Sequence, residues 1–415
     1  MGKKNMNSKE SSENFAEIYK KYCKSGLNIN MERGWPCKEQ LDLSMPMLDL
    51  VTSQSDLICE NDYRGYAGTG GIEPIKKIFS EILEVDNHHL YIGSTMSTTI
   101  MYDIVAKAIF FGINGNKPWR ETGEVKFICP SPGYEKHFKI CETFGITMLP
   151  VNMKADGPDM EQVNNLVKDP GVKGIWCVPL YSNPTGTVYS DEVVQSLASM
   201  KTAADDFTIF WDNAYAVHHL TDEEIKIKNI VDECEKYGNK NRVFEFFSTS
   251  KITFPGGGVA GCASSIDNIR WLEKSSLLQL KTGDKINQLR HALFLRDKAG
   301  VLAHMKKHRE IIAPKFCLVD RMLKEHFDNT DLVKWINPKG GYFISLELQK
   351  GMADKVYKIC ESHGVKITPA GSTFPYGRDP DNKFIRLAPT YPAYEDLKKA
   401  MVVLCGAIKE TCGMI

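Results

Sequence analysis

The chain has 415 residues, 42% hydrophobic and 25% charged, with 52 Lys+Arg against 52 Asp+Glu. That balance gives no net field toward nucleic acid or an anionic membrane surface, and no apolar run approaches the roughly 18 residues of a membrane span. The length accommodates a large core and two domains.

The first residues, MGKKNMNSKESSEN, are polar and lack the apolar core of a signal peptide. They read as a loose arm or as a helix beginning near Ser12. Twelve cysteines are scattered without a C-x-x-C pair, and Cys129, Cys177 and Cys262 lie in apolar runs. This usage predicts reduced, buried thiols in a cytoplasmic protein. His304 and His308 share a helix face and His218 adjoins His219, but neither pair has further ligands at convincing spacing, so no metal is expected.

From about residue 55 the chain alternates helical and strand patterns. A helix over Ile75–Leu83 precedes a strand at His89–Gly93. A glycine turn then opens, through Ser94, Thr95 and Met96, into a helix over Ser97–Phe111. Strands follow at Val125–Cys129, Thr147–Val151, Gly174–Pro179, Thr208–Trp211, Val243–Phe247 and Val259–Ser264. Helices over Tyr134–Phe144, Met160–Val167, Ser190–Met200 and Asn229–Tyr237 are interleaved among them. Seven strands alternating with helices predict an α/β sheet covered by helices, with ligands at its C-terminal strand ends. Beyond Leu293 come a long charged helix over Arg296–Phe327, a strand at Gly341–Leu348, a segment at Val365–Pro369 and a strand at Phe384–Ala388. These predict a smaller α+β domain. The expected division is an arm over 1–54 that contributes to the small domain, a large domain over 55–295 and a small one over 296–415.

Three strand ends carry residues suited to chemistry. Lys251 follows one strand in Ser248-Thr-Ser250-Lys251. A desolvated amine there can lose its proton and form an imine, while Ser248 and Ser250 can donate to an anion. Asp212 ends the apolar run Phe207-Thr-Ile-Phe-Trp-Asp212, where a carboxylate is costly without a partner such as a protonated ring nitrogen; it can equally be a helix cap. Tyr215 lies three residues on. Asn183 sits in the stiff turn Ser182-Asn-Pro-Thr-Gly186, its amide suited to a phenolic oxygen. The opening at Ser94–Ser97 offers free N–H groups and a helix dipole to a phosphate. Tyr134, just past another strand, is placed to stack on a flat ring. Arg386 interrupts an apolar strand and calls for a carboxylate, from a ligand or from within the protein. Lysine, acid, amide and anion cradle together are the equipment of a pyridoxal-phosphate site.

These runs resemble the fold-type I, class I/II pyridoxal-phosphate aminotransferases. The match of Tyr63–Gly68, Cys129–Tyr134, Gly174–Pro179, Phe210–His219, Ser248–Pro255, Asn287–His291, Pro338–Ser345 and Thr368–Gly377 is similar in particular to the subgroup Ic aspartate aminotransferases, some formerly labelled MocR-like. The resemblance implies that Lys251 holds the cofactor and moves the proton between substrate Cα and cofactor. It implies that Asp212 pairs with the ring nitrogen, Asn183 and Tyr215 with the phenolic oxygen, and that Tyr134 stacks on the ring. Ser94, Thr95, Met96, Ser248 and Ser250 would bind phosphate, with Tyr66 reaching in from the other subunit of a homodimer. Arg386 and Asn183, with Arg33 and Gly34, would hold the substrates, an amino acid and a 2-oxo acid.

Where many class I/II members have an arginine eight residues after the lysine, this chain has Val259, a gap the subgroup shares. The hydroxyl spacing in Thr95-Met-Ser-Thr-Thr99 also departs from the subgroup's. Lys285 or Lys281 could supply positive charge instead. The leading expectation is an aspartate:2-oxoglutarate aminotransferase, with Arg33, Arg64 and Lys281, in that order, as candidates for the side-chain carboxylate. The alternatives are an aminotransferase for alanine or aromatic amino acids, a β-lyase, or the effector-sensing module of a regulator. The last is disfavoured because the ~50 residues ahead of the large domain carry no helix-turn-helix pattern.

Overall fold

The computed structural model describes residues 15–58, 62–66, 68–328 and 330–415; the expected helix start near Ser12 lies outside them. All seven anticipated strands form. They are β1 (Leu90–Ser94), β2 (Lys126–Ser131), β3 (Thr147–Lys154), β5 (Val172–Cys177), β6 (Thr208–Asp212), β7 (Val243–Ser248) and β8 (Ala260–Ser264), with a short β4 (Gly157–Pro158) between β3 and β5. The sheet therefore has eight strands, ordered β1-β8-β7-β6-β5-β2-β3-β4. The expectation of seven missed β4, a two-residue return antiparallel to β3, too short to carry any alternation. Strands β7, β6, β5, β2 and β3 are parallel, and β8 runs antiparallel to both β7 and β1.

The central strands are buried along their whole length, as expected of a parallel sheet covered on both faces. Successive side chains point to opposite faces, and they divide into two cores. Ile128, Ile175, Ile209 and Phe247 join one core; Phe127, Trp176, Phe210 and Phe246 join the other. In the second, Trp176 and Phe210 have ring centroids 4.6 Å apart, and Phe210 stacks on Phe246 at 5.8 Å. Each such side chain contributes about 1.5–3 kcal/mol on burial.

Helices α1 (Glu73–Leu83), α2 (Ser97–Phe111) and α3 (Glu135–Thr143) follow the anticipated limits closely. Buried Ile100, Met101, Ile104, Val105 and Ala108 form the apolar stripe that seats α2.

Helix α4 (Lys298–Phe327) begins two residues later than expected, because Asp297 caps it by accepting from the Gly300 N–H. Its Val301 and Met305 belong to the large core, whereas Phe316, Val319 and Leu323 belong to another. That other core lies beneath β9 (Val333–Trp335), β10 (Ile344–Leu348) and β11 (Phe384–Leu387), an antiparallel sheet in that order. Helices α5 (Ala353–Ser362) and α6 (Tyr394–Thr411) cover it. Tyr19, Ile29 and Met31 of the arm pack into the same core, and Ile29–Asn30 pairs in parallel with Val365–Lys366. All eleven cysteines among the described residues are free thiols.

A buried ion pair ties β5 to the start of β6. Lys173 Nζ lies 2.7 Å from Asp206 Oδ1, both side chains almost fully buried, and Asp206 Oδ2 also accepts from Trp119 Nε1 at 2.8 Å. Removing one charge leaves the other buried and uncompensated, at a cost of about 3–5 kcal/mol. Asp206→Asn should therefore lower the urea midpoint markedly; a change within about 0.5 kcal/mol of wild type, the range of an ordinary surface substitution, would contradict this role for the pair.

Candidate active site

Strands β5, β6 and β7 are neighbours in the sheet and run in the same direction, with Cys177 opposite Trp211 and Asp212 opposite Phe246. Their C-terminal ends consequently open on one place. Asn183 lies in the turn after β5, Asp212 is the last residue of β6, and Lys251 lies in the turn after β7. All three line a cleft of about 500 Å³ together with Tyr134, Tyr215, Ser248, Ser250 and Arg386.

The Lys251 turn is braced by its own backbone. Ile252 and Thr253 N–H both donate to the Thr249 carbonyl at 2.8 Å, Thr249 N–H donates to the Val259 carbonyl, and Val259 N–H donates to Thr249 Oγ1. Lys251 Nζ lies 5.0 Å from the centroid of the Tyr215 ring. Burial pushes its ammonium below the ordinary lysine value, against the opposing pull of Asp212 and Glu135. Tyr215 is buried, and its phenol is raised by that burial, with Tyr134 and Asp212 adding to the effect.

Asp212 is 4% exposed. His137 Nε2 lies 3.1 Å from its Oδ2, while its Oδ1 is buried without a hydrogen-bond partner. Orphaned buried acceptors are rare and call for an explanation. This one borders the cleft. His137 is held flat against Trp176, centroids 4.4 Å apart and planes 9° apart, and meets Tyr134 edge-on at 5.0 Å. His137 went unrecognised in the sequence; its signal is the spacing Tyr134-Glu-Lys-His137, which opens α3 and returns the histidine beneath the tyrosine.

The N-terminus of α2 faces the same space. Met96, its N-cap, has no side-chain cap, and Met96, Ser97 and Thr98 line the cleft. Ser94 and Thr95 do not form its wall; the Thr95 carbonyl accepts from Ser250 Oγ at 3.3 Å, and Ser250 Oγ accepts from Ser248 Oγ at 3.0 Å. Val259 is buried in the large core.

Arg386 arrives from β11 of the small sheet and is 4% exposed. Its Nη1 donates to Asn183 Oδ1 at 3.1 Å and its Nε to Thr368 Oγ1 at 3.0 Å; its guanidinium carbon lies 4.6 Å from the Phe343 ring centroid. Both Nη atoms also engage the Glu135 carboxylate. Neither Glu135 nor Thr368 was foreseen as a partner.

Arg33 and Gly34 line the cleft, with Arg33 stacked on Trp35 at 4.9 Å. Any Cβ at Gly34 would stand 2.3 Å from the Phe343 ring, so only glycine fits. Lys136 and Lys139 also line the cleft, whereas the other cations named from the sequence lie elsewhere. Arg64 is paired with Asp62 on the surface, Lys281 packs 6.0 Å from the Tyr66 ring, and Lys285 Nζ reaches the Asp62 carbonyl. Tyr66 is 80% exposed and away from this chain's cleft. The histidine pairs have other neighbours: His304 and His308 bond each other, Ser44 and Gln40, while His219 bonds Tyr181. Among the described residues no three potential ligands cluster for a metal.

The family described as "Aspartate amino-transferase" matches residues 5–412. An aspartate aminotransferase of Corynebacterium glutamicum is 42% identical over 377 residues, covering 90% of this chain and 87% of that protein. The crystal structure of an aspartate transaminase from the same species superposes with a TM-score of 0.92 at 39% identity, covering 99% of this chain and 97% of that one. The α-aminoadipate aminotransferase of Thermus thermophilus, solved with N-(5'-phosphopyridoxyl)-L-leucine, shares the fold at 18% identity, with a TM-score of 0.76 and 96% of each chain covered. The chain belongs to the aspartate amino-transferase family and is an aminotransferase of fold type I.

Proposed function

We propose that the protein is a pyridoxal-phosphate-dependent aspartate:2-oxoglutarate aminotransferase of the cytoplasm, working by a two-half-reaction, ping-pong cycle. One observation carries the reading: a desolvated Lys251 amine and the unpartnered Asp212 Oδ1 border the same cleft as Arg386. The residues fit the cofactor. Asp212 Oδ1 is the free acceptor that a protonated ring nitrogen needs, and His137 keeps the other oxygen occupied so that the carboxylate cannot turn away. Asn183 and Tyr215 would serve the phenolic oxygen, and Tyr134 the ring face. The first-turn N–H groups of α2 with Ser248 and Ser250 would serve the phosphate. Ser94, Thr95 and Met96 belong to that proposed cradle through the turn they form.

When bound, pyridoxal phosphate supplies an electron sink for the substrate's Cα carbanion. Lys251 would take up the Cα proton, a role that its lowered ammonium pKa favours. Asp212, through its free Oδ1, would pair with a protonated ring nitrogen. Arg386 and Asn183 hold the α-carboxylate and fix which Cα bond faces Lys251. A second carboxylate needs a second cation, and Arg33 is the one of the three sequence candidates that lines the cleft. The exposure of Tyr66 supports a homodimer in which it completes the partner's site. Separate cores under the large and small sheets support two domains, which we place over 55–295 and 296–415 with the arm over 1–54, although Val51 and, in α4, Val301 and Met305 still pack in the large-sheet core. No described helix is long and apolar enough to cross a membrane.

Aspartate should convert the absorbance band of the purified holoenzyme to that of its amine form, and Lys251→Ala should abolish both that conversion and turnover. Conversion by alanine but not by aspartate would overturn the substrate assignment.

Amine labelling of the cofactor-free protein follows the unprotonated fraction. Labelling of Lys251 should therefore rise with pH at a lower midpoint than that of Lys38, whose ammonium is raised by its hydrogen bond and ion pair with Asp42. Asp212→Asn, which removes a charge that favours the Lys251 ammonium, should move the Lys251 midpoint further down. Mass spectrometry of the labelled peptides decides, and a Lys251 midpoint at or above that of Lys38 would remove the case for its catalytic role.

Arg33→Ala should raise KM for aspartate by roughly tenfold or more, the worth of a charge-assisted hydrogen bond, while leaving KM for a monocarboxylic amino acid nearly unchanged. Equal effects on both would exclude Arg33 as the side-chain partner.

A further inference from the structure

Arg386 already holds a carboxylate. Glu135 Oε2 lies 2.5 Å from Nη1 and Glu135 Oε1 lies 3.1 Å from Nη2, the two-oxygen-to-two-nitrogen fork by which a guanidinium binds a carboxylate ligand. The remaining contacts of Arg386 are neutral: Asn183 Oδ1, Thr368 Oγ1, the Glu32 carbonyl at 3.5 Å and the Phe343 ring. These suffice to aim the guanidinium without any anion, so Glu135 is not needed to place it.

The two ends of the pair differ in freedom. The Arg386 side chain is 4% exposed and enclosed by neutral partners. Glu135 is 29% exposed, is the first residue of α3, and lines the cleft. Burial disfavours its charge, but the attraction and hydrogen bonds of Arg386 outweigh that and hold its carboxyl below the usual range. It therefore meets an incoming ligand as an anion.

A planar guanidinium fork cannot engage two carboxylates at once on the same pair of nitrogens. We propose that Glu135 is an internal competitor for Arg386, a group that every substrate carboxylate must displace. The inference rests on the reading of Arg386 as the α-carboxylate clamp. Because the competing group is tethered, its effective concentration is high. It subtracts a similar amount from the affinity of every carboxylate ligand, whatever else that ligand carries. A molecule with one carboxylate and little more is then held poorly, whereas one with a second carboxylate, or a further bond to the site, still binds. The penalty thus sets how much further binding a carboxylate needs to occupy the clamp at a given concentration, and it leaves the ratio of affinities between two carboxylates unchanged.

The experiment is calorimetric titration of the holoenzyme with propionate and with succinate, neither of which has an amino group to transfer. Glu135→Gln keeps the size of the side chain and removes its charge. It should bind both probes about tenfold more tightly than wild type, on the scale of one charge-assisted hydrogen bond. Glu135→Asp, too short to keep the two-point fork, should bind both several-fold more tightly and decides the matter if the glutamine variant does not fold. Unchanged or weaker binding in the variant that folds overturns the proposal. Arg386→Ala separates the two claims. If it abolishes probe binding while the Glu135 variants change nothing, the clamp stands and the competitor falls. If it leaves probe binding intact, the clamp itself is wrong.

Discussion

The parallel alignment of β5, β6 and β7 is the constraint on which the site depends. Neighbouring strands lie about 4.8 Å apart, so three consecutive positions along one sheet edge fall within about 10 Å of each other. The turn holding Asn183, the strand end at Asp212 and the turn holding Lys251 occupy those positions. A one-residue slip between β6 and β7 would exchange the core-facing and opposite-facing side chains along a whole strand. It would set Ile209 and Trp211 against the aromatic layer that Phe210 and Phe246 now build. The packing that stabilises the sheet is thus also what fixes the register of the chemistry.

The second requirement is that the small unit meet the large one, because Arg386 belongs to β11 while Asn183 and Glu135 belong to the large unit. Its ties to those two residues cross between the two units, and the Lys251 carbonyl makes a similar crossing by accepting from Tyr342 OH at 3.3 Å. Helix α4 spans the same division from within, with Val301 in one core and Phe316 in the other. A movement of one unit against the other would act first on the contacts of Arg386.

Much of this was legible in the sequence, for identifiable reasons. The large-sheet strands and helices α1–α3 announce themselves because buried parallel strands are continuous apolar runs, and α2 is an apolar stripe between Ser97 and Phe111. Lys251, Asp212 and Asn183 stand out as polar residues at the ends of such runs. What stayed hidden depends on pairing across long separations. Nothing near Glu135 signals Arg386, which lies in another sheet, and nothing near His137 signals that its ring rests on Trp176 with Nε2 on Asp212. The strand β4 is too short to form a pattern, and the start of α4 is set by one side chain, Asp297. Arg64, Lys281 and Lys285 were reasonable candidates by charge alone, but sequence carries no information on which way a surface cation points.

Val259 shows why an arginine does not suit this position. Its N–H is committed to Thr249 Oγ1 and its carbonyl to Thr249 N–H, so the residue at this position is stitched to the turn that carries Lys251. Its side chain turns into the large core, where it is almost fully enclosed. A guanidinium there would face a desolvation penalty without a protein partner, and shifting the backbone to expose it would loosen the Lys251 turn. The uncapped first turn of α2 and the hydroxyls of Ser97, Thr98, Ser248 and Ser250 line the cleft as neutral donors, and Lys136 and Lys139 line it as cations. A helix terminus stabilises an anion by up to ~2 kcal/mol when partly buried. A guanidinium at 259 would also be a second buried cation near Lys251 and would depress the lysine further than burial alone has done. Apolar packing at Val259 and a tunable amine at Lys251 are therefore two results of one local arrangement.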